Sequence, residues 1–487
     1  MNFNNRALLE AVTPGRVVFL GSLVLSFIAV QQSVINRDGI LYVESARAFL
    51  DQGWSAAQQK FNWPLLPILM ALLAKVTGLE PETAGQILNA LFMAGCCTLL
   101  LSCSTRIFPP AVWPTCLVIL SLPAFNSYRN ELLREYGAWF FIMLSFWLAL
   151  RWTVKPDWRA ALWVQLALLV AALFRPEALS LFVALWGWQF FSAPQERRWR
   201  TLFMLATLPL LGLLALLVLT VTGGTLPGRL LGDMSRFRLT GFDAKTAALA
   251  PSLIDYARDN AGTILFFGSL AIVPLKFFGK LGLLSVPLAY AFATEKTSAL
   301  LSRSALFAWG FLTYSLVLCV FVLDLQFLAG RYIAPLLVFA APITGYGLHK
   351  LIERFPRWKY PMVATCLAIM AANAISTGPG KQHYVEAGEW LAKNAADLDR
   401  VYIGEARVAY YAGKRFSGKR FQPFEPERMA TEVAEHRYDL IVLSLSRKNR
   451  DIEEWLRRNQ LEQVQRFTNK AGDAIVVAVP AAIPSNH

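Results

Sequence analysis

Four short stretches of this chain place charged side chains between long apolar runs. Charges so close to apolar segments are costly unless they pair or serve a site. The first stretch is Asn36-Arg37-Asp38-Gly39-Ile40-Leu41-Tyr42. A carboxylate there can accept a proton from a hydroxyl, with Tyr42 as a substrate contact. Asp38 can equally cap the short amphipathic helix expected over 43–50. The second, Tyr128-Arg129-Asn130-Glu131-Leu132-Leu133-Arg134-Glu135-Tyr136-Gly137, sets two guanidinium groups beside two carboxylates. Arg129 and Arg134 suit a phosphate, and Glu131 or Glu135 suits a sugar hydroxyl or a proton; mutual salt bridging is the plainer alternative. In Phe174-Arg175-Pro176-Glu177, a tight turn between two apolar runs, Arg175 and Glu177 either bind substrate or pair with each other. In Gly330-Arg331-Tyr332, Arg331 can grip a phosphate through two parallel hydrogen bonds, or it can anchor the headgroup layer with Tyr332. The chemistry on offer is proton abstraction beside an anion site.

Other chemistries lack their residues. The four histidines, His349, His383, His436 and His487, are scattered, so no metal set with ligand spacing forms. No Walker loop, GxGxxG or GxSxG is present, so neither a nucleotide cofactor nor a serine nucleophile is expected. All six cysteines lie in apolar runs, which excludes a disulfide framework outside the membrane. The net charge of +14 sits mainly in short loops rather than on one soluble face, so nucleic acid is not an expected partner.

The elements that must position these charges are membrane helices. Apolar residues make up 55% of the chain and charged residues only 16%, more apolar surface than a soluble fold can hide. Apolar runs fall near 17–35, 63–77, 84–105, 111–126, 136–150, 161–174, 178–192, 202–222, 262–278, 281–293, 304–323, 332–348 and 361–376. The first lacks a small-residue cleavage site and reads as a retained anchor. Runs 63–77 and 262–278 are marginal against the ~20 residues a crossing needs. If both crossed, the basic clusters at 151–159 and 197–200 would face outward. The positive-inside rule therefore favours eleven crossings and two helices lying on the outer surface. The N-terminus, with Arg6 and Arg16, is then cytoplasmic, and the four charged stretches and the tail lie outside. The expected division is a membrane domain, 1–379, and a soluble domain, 380–487.

That tail alternates helical and strand-like patterns over His383–Asn394, Arg400–Gly404, Pro426–His436, Tyr438–Ser444 and Ala474–Pro480, which suggests a small α/β layer. It also repeats a tetrapeptide, at 413–416 and 418–421, with the basic and aromatic character that meets lipid phosphates or reads as a solvated turn.

The ordered set of stretches resembles the GT-C glycosyltransferases, in particular the protein O-mannosyltransferases and the bacterial lipid A aminoarabinose transferases. Arg37-Asp38-Gly39 with Tyr42 is similar to their first-loop acidic motif, and Asn62-Trp63-Pro64-Leu65-Leu66-Pro67 to the start of their second surface helix. Tyr128-Arg129…Arg134-Glu135…Phe140-Phe141 resembles their second-loop motif, and Gly330-Arg331-Tyr332…Pro335 their late Arg-Tyr…Pro motif. Two departures stand out: loop one has Asp-Gly, and Glu135 stands one residue out of register with its arginine. The resemblance, over about 15–376, implies a polyprenyl-phosphate-linked sugar donor, an inverting transfer to a glycan, lipid or protein hydroxyl, and Asp38 as general base. It also implies a bacterial inner-membrane protein working at the periplasmic face. A transporter or lipid flippase would be polytopic too, but should carry ionisable groups at mid-helix, where this chain has almost none. A non-catalytic envelope assembly protein would depend on the tail and tolerate loss of Asp38.

Overall fold

The computed structural model describes residues 13–31, 33–222, 241–375, 380–415, 424–446 and 451–480. Arg6 and the second copy of the tetrapeptide lie outside them. The chain forms a polytopic helical protein with a small four-stranded sheet near its C-terminus. Among the described residues, five helical segments are long and apolar enough to cross a membrane: Pro81–Ile107, Gln195–Val221, Ala261–Thr294, Ala305–Leu325 and Gly330–Arg354.

Two expectations about the marginal runs part company. Leu65–Thr77 has 13 residues, about 20 Å of helix against a hydrocarbon core of ~30 Å. Run 262–278 is not a separate surface helix. With 281–293 it forms one nearly continuous 34-residue segment, Ala261–Thr294, broken only by a turn at Gly282–Leu284. The turn between the two helices is three residues, too few to turn the chain back. Counting the pair as one crossing instead of a surface helix and a crossing leaves the parity of the expected topology unchanged.

Contacts divide the chain into two compact units. The first comprises Met1–Phe27, Ala90–Arg129 and Arg134–Ala374; the second comprises Ile28–Asn89, Asn130–Leu133 and Ile375–His487. The first loop and the tail thus share a unit, because the loop's helices pack on the tail rather than standing alone.

In the first unit, helix Gly330–Arg354 is buried along one continuous stretch, Ile333–Leu348. Its Phe339 ring stacks on Phe146 and meets Phe307 edge-on. Gly345 and Gly347 let neighbours come close: a Cβ on Gly345 would lie 2.2 Å from Thr115 Oγ1, and one on Gly347 1.8 Å from the Pro287 carbonyl oxygen. Small residues serve this purpose between membrane helices. Helices Glu135–Trp152 and Trp158–Phe174 are the most closely paired in the unit. Gly137 makes room for the Phe174 ring, 2.4 Å from where a Cβ would sit. That ring is held between Phe92 and Phe141 and cannot yield cheaply. Gly137→Ala is therefore expected to cost about 1–3 kcal/mol by overpacking, read as a lowered thermal midpoint in detergent.

In the second unit the sheet runs β1 (Val401–Ile403), β2 (Leu440–Leu445), β4 (Ala474–Pro480), β3 (Leu461–Thr468). The β1–β2 pair is parallel and the other two pairs are antiparallel. Successive residues of β2 enter two cores: Val442 one, Ile441 and Leu443 the other. Helices Gln382–Asn394 and Ala406–Tyr411 cover the first, and Pro426–Ala434 and Asp451–Arg458 the second. Strand β3, Leu-Glu-Gln-Val-Gln-Arg-Phe-Thr, escaped the sequence reading because it is largely polar and exposed, an edge strand with a register shift at Gln463/Gln465.

Candidate active site

Glu135 opens helix Glu135–Trp152, and Arg134, half-buried, is its N-cap residue. The helix has 18 residues, and Trp158–Phe174, returning beside it, has 17. Nearly equal lengths bring the chain back to the level at which it started, so Arg175 arrives beside Glu135. Arg175 precedes Pro176, which forces it into extended conformation (φ −143°, ψ 109°) and ends the helix. Its guanidinium donates through Nη1 to Glu135 Oε1 at 3.2 Å and through Nη2 to Glu177 Oε1 at 2.8 Å. Arg331, in the first turn of Gly330–Arg354, brings its Nε to 3.3 Å from the same Glu135 oxygen. The Tyr332 ring lies under both cations, 4.7 Å from the Arg175 guanidinium and 5.6 Å from that of Arg331.

Two arginines thus converge on one carboxylate that is only 3% exposed. Burial lowers the Arg175 pKa, but Glu177 and Glu135 outweigh it and hold the group above its ordinary value. Arg175 therefore stays a fixed cation. Oε2 of Glu135 and Oε2 of Glu177 are buried with no hydrogen-bond partner among the described residues. Both residues line a narrow cavity with Trp139, Tyr314 and Pro335. The arrangement combines fixed positive charge with two open carboxylate acceptors, which suits a ligand bearing both an anion and hydroxyl groups.

Of the expected site residues, the structure brings together Glu135, Arg175, Glu177, Arg331 and Tyr332. Arg129 is not among them. It is 4% exposed and donates to Asn126 Oδ1, the Ser22 carbonyl and Ser26 Oγ. Tyr314 was missed, since one tyrosine in the apolar run Ala305–Leu325 gives no pattern to read. Lys276 and Lys280 were missed as well. Lys276 Nζ donates to the Leu328 carbonyl, and Lys280 lies over the Tyr128 ring at 5.6 Å, so both neighbour the segment leading into Arg331. Their distance along the chain hid this.

Asp38 and Tyr42 belong to the second unit. Asp38 lies in the first turn of helix Arg37–Gln52, half-buried. It is not the cap expected of it: Asn36 is the N-cap residue. The Asn36 side chain donates to the Leu132 carbonyl and accepts the Leu132 N–H, at 3.2 and 2.9 Å. Gly39 permits that approach, because a Cβ there would lie 3.0 Å from Leu132 Cβ. This is a steric reason for Asp-Gly in loop one. Tyr42 is buried and packs on Phe61, with ring centroids 5.2 Å apart.

The tail grips this helix. Tyr411 Oη accepts the Ile35 N–H at 3.1 Å, and Arg37 Nη2 donates to Glu405 at 2.7 Å. Tyr410 Oη donates to Glu82 at 2.6 Å, and Arg47 lies over the Tyr410 ring. Glu405 is buried and also pairs with Arg407 at 3.2 Å. Hydrogen bonds to charged groups contribute about 1.5–3 kcal/mol. Glu405→Gln should therefore slow a reaction that depends on Asp38 by about tenfold, in kcat more than in KM. Partial recovery in the Arg37→Glu, Glu405→Arg double variant would show that the pair itself matters.

No protein-family model matches the sequence, and no curated protein matches it. Solved structures do. ArnT from Cupriavidus metallidurans in the apo state aligns with a TM-score of 0.55 at 13% identity, over 95% of this chain and 97% of that one. The same protein bound to undecaprenyl phosphate aligns with a TM-score of 0.55 at 14% identity, over 98% and 100%. The Archaeoglobus fulgidus oligosaccharyltransferase, in complex with zinc and sulfate, lies further off, with a TM-score of 0.47 at 13% identity over 85% of this chain and 58% of that one. At such identities the ArnT likeness is one of fold, and the fold is the one implied by the GT-C resemblance.

Proposed function

We propose that this chain is an inverting glycosyltransferase that moves a sugar from a polyprenyl-phosphate donor to an acceptor hydroxyl outside the cytoplasm. The observation that carries this reading is the convergence of Arg175 and Arg331 on buried Glu135, with open carboxylate oxygens on Glu135 and Glu177. The fold shared with ArnT, one structure of which holds undecaprenyl phosphate, supports the choice of donor.

In the proposed step the acceptor oxygen attacks the anomeric carbon as its proton passes to a carboxylate base, the part the GT-C resemblance gives Asp38. The bond from that carbon to the phosphate oxygen breaks, and its electron pair leaves with the polyprenyl phosphate. Arg331 and Arg134, the residue before Glu135, stabilise the charge growing on that phosphate, where preorganised cations act most strongly. Glu135 and Glu177 accept sugar hydroxyls and fix Arg175. Arg129, whose Nε and Nη1 are bonded to Asn126, Ser22 and Ser26, is assigned to the framework, and buried Tyr42 to the support of the Asp38 helix.

The defining experiment compares cell-envelope lipids and glycans by mass spectrometry with and without the gene; a lost glycosyl modification is the expected result. On purified protein, Arg331→Lys keeps the charge but loses the planar fork. Donor affinity should fall by about 1–3 kcal/mol, the scale of a charge-assisted hydrogen bond. Unchanged affinity would place the phosphate elsewhere.

A further inference from the structure

A second cleft, at the opposite end of the first unit, has no part in this reaction. Helix Glu135–Trp152 starts at the carboxylate cluster and carries Arg151 in its last turn. Its 18 residues span about 27 Å, so Arg151 lies close to a full hydrocarbon thickness away from Glu135. Helix Pro81–Ile107 ends nearby with Arg106 in its last turn. Between them opens a cleft of about 660 Å³, lined by Leu101, Ser102, Arg106, Trp147, Leu150 and Arg151, among others.

Three features separate it from an ordinary basic helix end. Neither Arg106 nor Arg151 pairs with a carboxylate among the described residues, whereas Arg175 is neutralised twice over. The Arg151 guanidinium lies over the Trp147 ring at 4.6 Å, a contact that leaves its N–H groups for an anion. Trp147 Nε1 donates to Ser102 Oγ at 3.0 Å, so the Ser102 hydroxyl keeps its own proton to donate. Below this polar rim the wall is apolar, with Leu101 and Leu150. A rim of two uncompensated cations above an apolar wall complements a phosphodiester attached to an acyl chain.

We propose that this cleft binds one anionic phospholipid, its phosphate between Arg106 and Arg151 and one acyl chain along Leu101, Trp147 and Leu150. The positive-inside rule assigns this end to the cytoplasmic leaflet, where anionic lipids attract basic side chains. Positive-inside bias explains basic residues at helix ends, but not a concave cleft between two of them or a guanidinium lying over an indole. The inference needs only the membrane fold and does not rest on the proposed transferase activity.

Native mass spectrometry of the full chain in detergent tests it, with phosphatidylglycerol, phosphatidylethanolamine and undecaprenyl phosphate as probes. The wild type should retain one phosphatidylglycerol in preference to phosphatidylethanolamine. Arg106→Gln with Arg151→Gln should weaken that binding at least about tenfold, the loss of a charge-assisted contact. Ser102→Trp, which fills the cleft and keeps both arginines, should weaken it as well. Arg159→Gln, which removes an exposed charge outside the lining, should leave it unchanged. Equal retention by the double variant, equal loss in Arg159→Gln, or preference for undecaprenyl phosphate over phosphatidylglycerol would each overturn the proposal. Thermal midpoints of the variants, compared with wild type, separate lost binding from lost folding.

Discussion

Asp38→Asn is expected to abolish the proposed sugar transfer while leaving the protein folded and the Arg175–Glu135–Arg331 cluster intact. The substitution changes one oxygen to an amide nitrogen, so volume and helix are kept while the negative charge and proton acceptance are lost. General-base catalysis contributes about 10²–10⁴-fold, which sets the size of the drop. Asp38 is half-buried in the first turn of a helix that is fixed at several points: Asn36 to Leu132, Ile35 to Tyr411 and Arg37 to Glu405. None of those bonds uses the Asp38 carboxylate, so their loss cannot explain a dead Asn variant. The measurement is the transfer rate of purified protein, with donor affinity and thermal midpoint taken alongside. Full activity in Asp38→Asn would end its assignment as the base.

Glu135→Ala should show the largest combined effect, losing both stability and activity. Glu135 is the shared partner of Arg175 and Arg331, and both its carboxylate and Arg175 are largely withdrawn from solvent. Removing one member of a buried ion pair costs about 3–5 kcal/mol, because the remaining charge is left uncompensated. The 23% exposure of the Arg331 side chain and the second carboxylate on Arg175, Glu177 at 2.8 Å, place the expected loss at the lower end of that range. Glu135→Gln together with Arg175→Gln removes one charge of each sign and should recover much of the thermal midpoint. It should not recover transfer if the cluster holds substrate. Recovery of both would make Glu135 a structural ion-pair partner only.

Much of the molecule was legible because membrane solvation leaves strong marks in sequence. The apolar runs, the basic loops and the four charged stretches could be read one at a time, and each lies within a short segment. The pairing of Arg175 with Glu177 was legible too, since two residues around a proline can scarcely avoid each other. The sequence could not show that run 262–278 continues through 281–293, because a glycine turn inside a helix and a loop between helices look alike in composition. Nor could it separate Arg129 from Arg331. Both are arginines beside an apolar run; one is spent on Ser22, Ser26 and Asn126, the other meets Glu135. Long-range partners decide that difference, and the helix lengths between Glu135 and Arg175 set who those partners are.

The sequence by itself determined the membrane class, the α/β character of the tail and which residue types were available for chemistry, because hydropathy and helical or strand periodicity are local properties. Only the tertiary structure decided that the tail shares a compact unit with the first loop, that Glu135 gathers two arginines, and that Arg106 and Arg151 border one cleft. Those outcomes depend on which buried surfaces find complementary partners hundreds of residues away, and no local pattern encodes that choice.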